Sequence, residues 1–232
     1  AGQVFAAAIA RGDRKLGIIL RDLTVHELPL AVDAGLFFNV NTPAAYRLAC
    51  GRIANEGRER PILSIAAPTS GTGKTAFIER LIPHLATHGV RTAVIKSDSH
   101  GFQLDTEGKD TARFTAAGAR AVAVSAPNGY FIQKKEEQRQ DFQNLISKLE
   151  HDIDLFITES RSRGTLPTLM LDRGLAAPEI DARVTALFQK EGTPYDGLLS
   201  CDLDDVETAA RITLFLMGRP LYGADGLMFL TM

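Results

Sequence analysis

Ser70-Gly71-Thr72-Gly73-Lys74-Thr75 is a run of residues whose types suit one task, the cradling of a phosphate chain. A triphosphate carries several negative charges, so a loop holds it only where main-chain N–H groups converge and side chains stay clear. Gly71 and Gly73 supply the permissive backbone. Lys74 brings an ammonium group to the outer phosphates, and Thr75 offers a hydroxyl to Mg2+. Ala76 follows in the first turn of a helix whose positive dipole end points at the same place. The ligand class this implies is a purine nucleoside triphosphate with magnesium. Against the pattern GxxxxGK(S/T), one position departs, because Pro68 stands where the first glycine is usual. The cradle proper, Ser70 to Thr75, is intact.

A chance GTGKT would lack the elements that must aim it. Here Ile62 to Ala67 is a continuous apolar run with β-branched members, the pattern of a strand buried on both faces of a parallel sheet. After the loop, Phe77, Ile78, Leu81, Ile82 and Leu85 recur at helical spacing, and Gly89 stops the helix after His88. Thr92 to Lys96 reads as a second buried strand. The polar, Gly-containing stretch Ser97 to Gly108 then lies at a strand's carboxyl end, where ligand-facing loops of α/β sheets sit.

Further along, a helix is expected from Lys109 to Ala117, a strand at Ala121 to Ser125, a turn at Asn128-Gly129 and a short strand at Tyr130 to Gln133. Lys134 to Leu149 reads as a helix with a charged outer face. Asp154 to Thr158, Thr168 to Leu171 and Gly197 to Ser200 read as strands, and Val206 to Met217 as the final helix. Strand and helix patterns alternate, so the class is α/β with a mostly parallel sheet, a three-layer sandwich of the P-loop NTPase type. Ahead of it, Val4 to Arg11 is a helix candidate, and Gly17 to Leu20 and Val25 to Leu28 are short apolar runs. Pro43 to Asn55 is a helix capped by Asn41 or Thr42 with proline at its first position. The charged stretch Glu56 to Arg60 marks a boundary, giving a short α/β segment over 1–57 and the nucleotide-binding domain over 58–232.

Composition narrows the field. With 232 residues the chain can bury a core without disulfides, and 45% hydrophobic and 23% charged residues are ordinary for a globular protein. A net charge of -2 gives nucleic-acid binding no support. Cys50 and Cys201 stand far apart, which excludes a CxxC pair and suits a reducing cytoplasm. No uncharged apolar run reaches the length of a spanning helix, so no membrane is expected. The chain opens without Met, and its first residues read like the interior of a longer protein.

From Pro61 to Gly218 the sequence resembles the accessory GTP-binding protein family of molybdopterin-guanine dinucleotide biosynthesis. The densest likeness is APTSGTGKTAFIERLIPHLATHGVRTAVIK, followed by LDTEGKDTARFTAAGA, where Gly108, Lys109, Asp110, Ala117, Gly118 and Ala119 fall on the family's pattern. The resemblance implies GTP with Mg2+, a homodimer, and slow hydrolysis at most. It further implies that Glu159, at the end of DLFITES, reaches Mg2+ or its water shell alongside Thr75. Ser200 and Asp202 of LLSCDLDD are similar to the family's late element, in which a carboxylate accepts from guanine. The sequence departs from the family after the second strand, where Ser97, Asp98 and Ser99 precede His100. It departs again after Glu159, where Ser160, Arg161, Ser162 and Arg163 follow. Residues Leu28 to Leu48, with AGLFFNVNTPAAYRLA, resemble instead the carboxyl-terminal tail of the guanylyltransferase that attaches GMP to molybdopterin. The implied partner is thus that transferase, fused or separate.

Plainer alternatives stand beside these. His84 and His88 share a helix face and could share a metal, but a solvated face explains them as well. Asp105 and Asp110 suit a magnesium site or simple loop capping. Glu159 could pair with Arg161 or Arg163, Asp202 could belong to the cap of the last helix, and the cysteines read as small buried apolar groups. At the level of function, two rivals remain. One is a small-molecule kinase using ATP, with Arg161, Arg163 and Asp105 on the transferred phosphate. The other is a nucleotide-binding interaction module that has lost turnover.

Overall fold

The computed structural model describes residues 2–13, 15–23, 39–96, 110–134, 136, 140–149, 151–159, 165–190 and 194–219. Contacts divide the chain into two units, Ala1–Leu36 and Phe37–Met232. In the first, helix α1 (Gly2–Ala10) is followed by a short helix α2 (Leu16–Ile19) and a 3-10 turn, Leu20–Asp22. Ala8 and Ile19 are its buried apolar residues among those described. The apolar run Val25 to Leu28 lies outside the described residues.

The second unit begins with helix α3 (Pro43–Asn55), with the start and stop its sequence specifies: the Thr42 hydroxyl accepts from Ala45 N–H at 3.1 Å, and Pro43 takes the first position. Strand β1 (Ile62–Ala66), the phosphate loop and helix α4 (Lys74–Thr87) follow, then β2 (Thr92–Lys96). Helix α5 (Asp110–Ala116) precedes a hairpin of β3 (Ala121–Ala126) and β4 (Gly129–Lys134), which forms an antiparallel sheet of its own. Helix α6 (Phe142–Leu149), strands β5 (Leu155–Glu159), β6 (Thr168–Asp172), β7 (Val184–Gln189) and β8 (Leu199–Asp202), and helix α7 (Val206–Leu216) complete it.

The main sheet has six strands in the order β2-β5-β1-β6-β7-β8, every adjacent pair parallel. Parallel strands buried on both sides read as unbroken apolar runs, and β1 and β6 are buried along their whole length. Successive residues face opposite layers. Leu63 and Ile65 of β1, Ile157 of β5 and Phe188 of β7 pack with Phe77, Leu81 and Leu85 of α4 and with Ile212 and Phe215 of α7. Ile62 and Phe156 turn the other way, onto Ile146, Phe142 and Leu145 of α6. Helices α3, α4 and α7 thus form one outer layer and α6 covers part of the other.

Helix α3 is seated deeply in this unit. A Cβ on Gly51 would stand 2.5 Å from Thr185 Cγ2 and 2.8 Å from Leu216 Cδ2, so only glycine lets α3 approach β7 and α7 this closely. Asn55 fixes its end: Nδ2 donates to Leu216 O and Oδ1 accepts from Ile62 N–H, both at 3.1 Å. Arg47 donates to Asp181 O at 2.6 Å. The boundary expected after residue 57 falls within these ties, and α3 packs with the sheet.

One expectation is corrected, and one strand is added. Lys134 to Leu149 does not form one helix: Lys134 is the last residue of the hairpin, paired with Ala121 and bridged to Glu136. The helix starts only at Phe142, after Asp141 Oδ1 accepts from Gln143 N–H at 3.3 Å. Ladder pairing overrides local helical propensity at Lys134. Strand β7 went unread, although VTALFQ is an apolar, β-branched run bounded by polar residues, the pattern used to find β1 and β6. Consequently β5 to β8 follow one another with no intervening helix among the described residues.

Candidate functional site

The site is assembled at the carboxyl edge of the sheet, where β1 ends and α4 begins. Gly71 has φ +76° and Gly73 φ +90°, left-handed values that any Cβ would strain, so both glycines are there for the turn. Gly73 is the cap residue of α4, and its carbonyl accepts the first helical bond, from Phe77 N–H at 2.9 Å. The preceding amides, on Gly73, Lys74, Thr75 and Ala76, therefore have no acceptor within the helix and face outward at its positive end. Thr69 closes the loop from the other side: its carbonyl accepts from the Thr72 hydroxyl at 2.9 Å and from Lys74 Nζ at 3.2 Å. Lys74 is 8% exposed, an ammonium folded back on one carbonyl within reach of the cradle.

Glu159 ends β5, the strand paired with β1, with Ile65 opposite it in register. The Thr75 hydroxyl donates to its carboxylate, 3.3 Å from Oε1 and 3.2 Å from Oε2. Two hard oxygen donors from residues 84 positions apart thus meet beside the cradle, the donor set Mg2+ takes. Thr75 is expected there from the loop pattern and Glu159 from the resemblance, and the fold brings the two side chains together.

Asp202 ends β8, three strands from β1 at the same carboxyl edge, about 14 Å away at the usual strand spacing. Its Oδ1 accepts from Asp204 N–H at 2.7 Å, and Asp205 is the residue that caps α7, accepting from Thr208 N–H at 3.0 Å. The alternative reading of Asp202 as part of the α7 entry is therefore present in the structure, alongside its placement at the ligand edge. Ser200 Oγ is buried with no hydrogen-bond partner among the described residues. Arg80 of α4 ties this corner to the phosphate side through Asp204 at 2.8 Å.

Other candidates fall away or lie elsewhere. Among the described residues no three His, Cys, Asp or Glu side chains come together to hold a metal, so His84 and His88 gain no further ligand. Asp110 sits in the first turn of α5, 3.6 Å from Arg113, as a helix-start residue does. Burial pushes the Cys201 thiol up to about 12, with Asp205 adding to it, which suits an apolar packing role. Asp105, Arg161 and Arg163, offered for phosphate transfer, lie outside the described residues, as do Ser97 to His100.

One neighbour of the cradle was missed. Arg173, the first residue after β6, lays its guanidinium against Gly73, with Nη2 3.0 Å from where a Cβ on that glycine would be. The available signal was a cation immediately beyond a buried strand's carboxyl end.

The family model described as Molybdopterin guanine dinucleotide synthesis protein B (MobB) matches residues 62–186. The molybdopterin-guanine dinucleotide biosynthesis adapter protein of Haemophilus influenzae is 32% identical over 160 residues, 67% of this chain and 87% of that protein. Its namesake from Escherichia coli is 32% identical over 167 residues, 68% of this chain and 94% of that protein. A crystal structure of molybdopterin-guanine biosynthesis protein B superposes with a TM-score of 0.53 at 25% identity, over 67% of this chain and 99% of that one. That of Bacillus subtilis MobB does so with 0.54 at 24% identity, over 67% and 97%. The family match opens on the first residue of β1 and takes in the loop, Glu159 and Arg173, more than half of the sequence. This chain belongs to the MobB family.

Proposed function

We propose that the chain is a GTP-binding accessory protein of molybdopterin-guanine dinucleotide biosynthesis, serving the guanylyltransferase of that pathway in the cytoplasm. The observation that carries the nucleotide reading is the meeting of Thr75 and Glu159 at 3.2 to 3.3 Å beside the open amides of α4. In this reading, the backbone of Ser70, Gly71, Thr72, Gly73, Lys74, Thr75 and Ala76 holds the phosphates, and Lys74 leaves Thr69 for them. Thr75 and Glu159 hold Mg2+, which when bound offsets the charge of the outer phosphates. Asp202 receives the base at the far end of the edge. The names of the relatives, adapter proteins, support an accessory role, and turnover is slow at most.

The likeness of residues 28–48 to a guanylyltransferase tail supports that partner, fused or separate. A homodimer is supported by the hairpin, where Tyr130 and Ile132 share one face and are 78% and 61% exposed. Sedimentation should give twice the chain mass, and Tyr130→Asp with Ile132→Asp should give one; a monomeric wild type refutes the dimer. The nucleotide reading is tested by calorimetry with GTP in excess Mg2+. Binding is expected in the wild type, weakened by EDTA and abolished by Lys74→Ala, and a Lys74→Ala protein that keeps full affinity refutes the site.

A further inference from the structure

The cradle described above leaves one adjoining cation without an assignment. Strand β6 runs beside β1 with Met170 opposite Ala66, so where β1 gives way to the loop, β6 has reached Asp172. There the chain turns sharply. Asp172 Oδ1 accepts from Gly174 N–H at 2.7 Å, and Gly174 takes a left-handed φ of +73°. This short turn carries Arg173 back onto the loop. Its Nη2 lies 3.0 Å, and its Cζ and Nε 3.4 Å, from the point a Cβ on Gly73 would occupy. The missing side chain of Gly73 is thus what admits the guanidinium to the wall of the cradle. Among the described residues Arg173 makes no ion pair and no hydrogen bond, although Arg80, Arg91 and Arg183 each hold an aspartate.

A guanidinium placed against a loop that collects outward N–H groups, and given no carboxylate of its own, is matched to an anion in that loop. We propose that Arg173 is a second phosphate-binding cation of the site, supplied from the strand next to β1. Its planar fork of donors would act beside the point charge of Lys74. The inference rests on the reading of residues 70–76 as a nucleotide site and adds a ligand group to it. It also gives Gly73 a second reason to be glycine, beyond its backbone angle.

The test is displacement of a fluorescent GTP analogue by GTP and by inorganic tripolyphosphate, with Mg2+ in excess. Wild type, Arg173→Ala, Arg173→Lys and Lys74→Ala are compared, with the thermal midpoint of each measured without nucleotide. Arg173→Ala is expected to weaken GTP and tripolyphosphate alike by roughly ten- to a hundredfold, with an unchanged midpoint. Arg173→Lys should recover part of the loss, because charge is kept and the fork is not. If Arg173→Ala binds within about twofold of wild type while Lys74→Ala does not bind, the inference is overturned and the nucleotide site stands. A loss seen with GTP but absent with tripolyphosphate places the contact away from the phosphates and overturns it equally. A wild type that binds neither ligand removes the nucleotide reading and this inference with it.

Discussion

The two edges of the main sheet are built to opposite rules. At the amino edge several polar groups are tied into the fold. Asn55 joins the ends of α3 and α7 to the start of β1 through two bonds. Arg91, just before β2, donates to Asp154, just before β5, from its backbone N–H at 2.8 Å and its Nε at 3.0 Å, and reaches Asp152 at 3.2 Å. At the carboxyl edge several polar groups around the loop are held in reserve. The first amides of α4 lack helical acceptors, Lys74 rests on one carbonyl at 3.2 Å, and Arg173 faces Gly73 with no acid beside it among the described residues. Saturated groups stabilise the folded chain, whereas groups in reserve can contribute to binding because their free energy has not been spent on the fold. The ties at the amino edge thus serve the fold, and the groups in reserve at the carboxyl edge are available to a ligand.

Variants at each edge can break that division. The largest effect is expected at Lys74, where alanine should cost at least about a hundredfold in Mg-GTP affinity while leaving the thermal midpoint of the unliganded protein unchanged. A large fall in that midpoint would show that Lys74 already stabilises the fold and would erase the contrast. Next comes Asn55→Ala, which strands the Ile62 N–H and the Leu216 carbonyl in a buried position. It should cost about 3 kcal/mol in urea unfolding with nucleotide affinity unaltered.

The smallest effect belongs to the ion pair before β5. Hydrogen bonds from Arg91, then its charge, hold Asp154 down at about 2 from an ordinary value of 3.8, with burial opposing. A depressed carboxylate contributes stability that is full above its unfolded value and disappears as pH falls through the folded one. The contribution should therefore fade between about pH 4 and pH 2. Arg91 is 58% exposed, so solvent screening limits the contribution to about 1 kcal/mol. Asp154→Asn should lower stability by that amount at neutral pH and flatten the acid limb in that window. An identical acid limb in wild type and variant would place the pH sensitivity elsewhere.

Legibility in the sequence follows the distance over which each feature is encoded. Helix α3, with Thr42 at its cap and Pro43 at its start, could be read to the residue because cap and periodicity are contiguous. The loop and α4 were legible for the same reason. Lys134 shows the limit: its neighbours favour a helix, and its pairing with Ala121 across the hairpin decides otherwise. Strand β7 has the pattern of a buried strand, and what makes it a strand is the place between β6 and β8 that supplies its hydrogen bonds. Glu159 follows from a resemblance and a strand end, whereas Arg173 stands just beyond the end of β6, on the other side of β1, where no local signal ties it to the loop.

By itself, then, the sequence determined the turn and helix start over residues 70–75 and the α/β class. Left-handed backbone at Gly71 and Gly73, a buried apolar strand before them and an amphipathic helix after them are written in consecutive residues. Tertiary structure alone decided which distant residues face the cradle. Strand order sets β5 on one side of β1 and β6 on the other, so Glu159 meets Thr75 and Arg173 meets Gly73. Local propensity acts through neighbours along the chain. The order of parallel strands arises from crossovers and from burial shared across the whole sheet, which no single segment specifies.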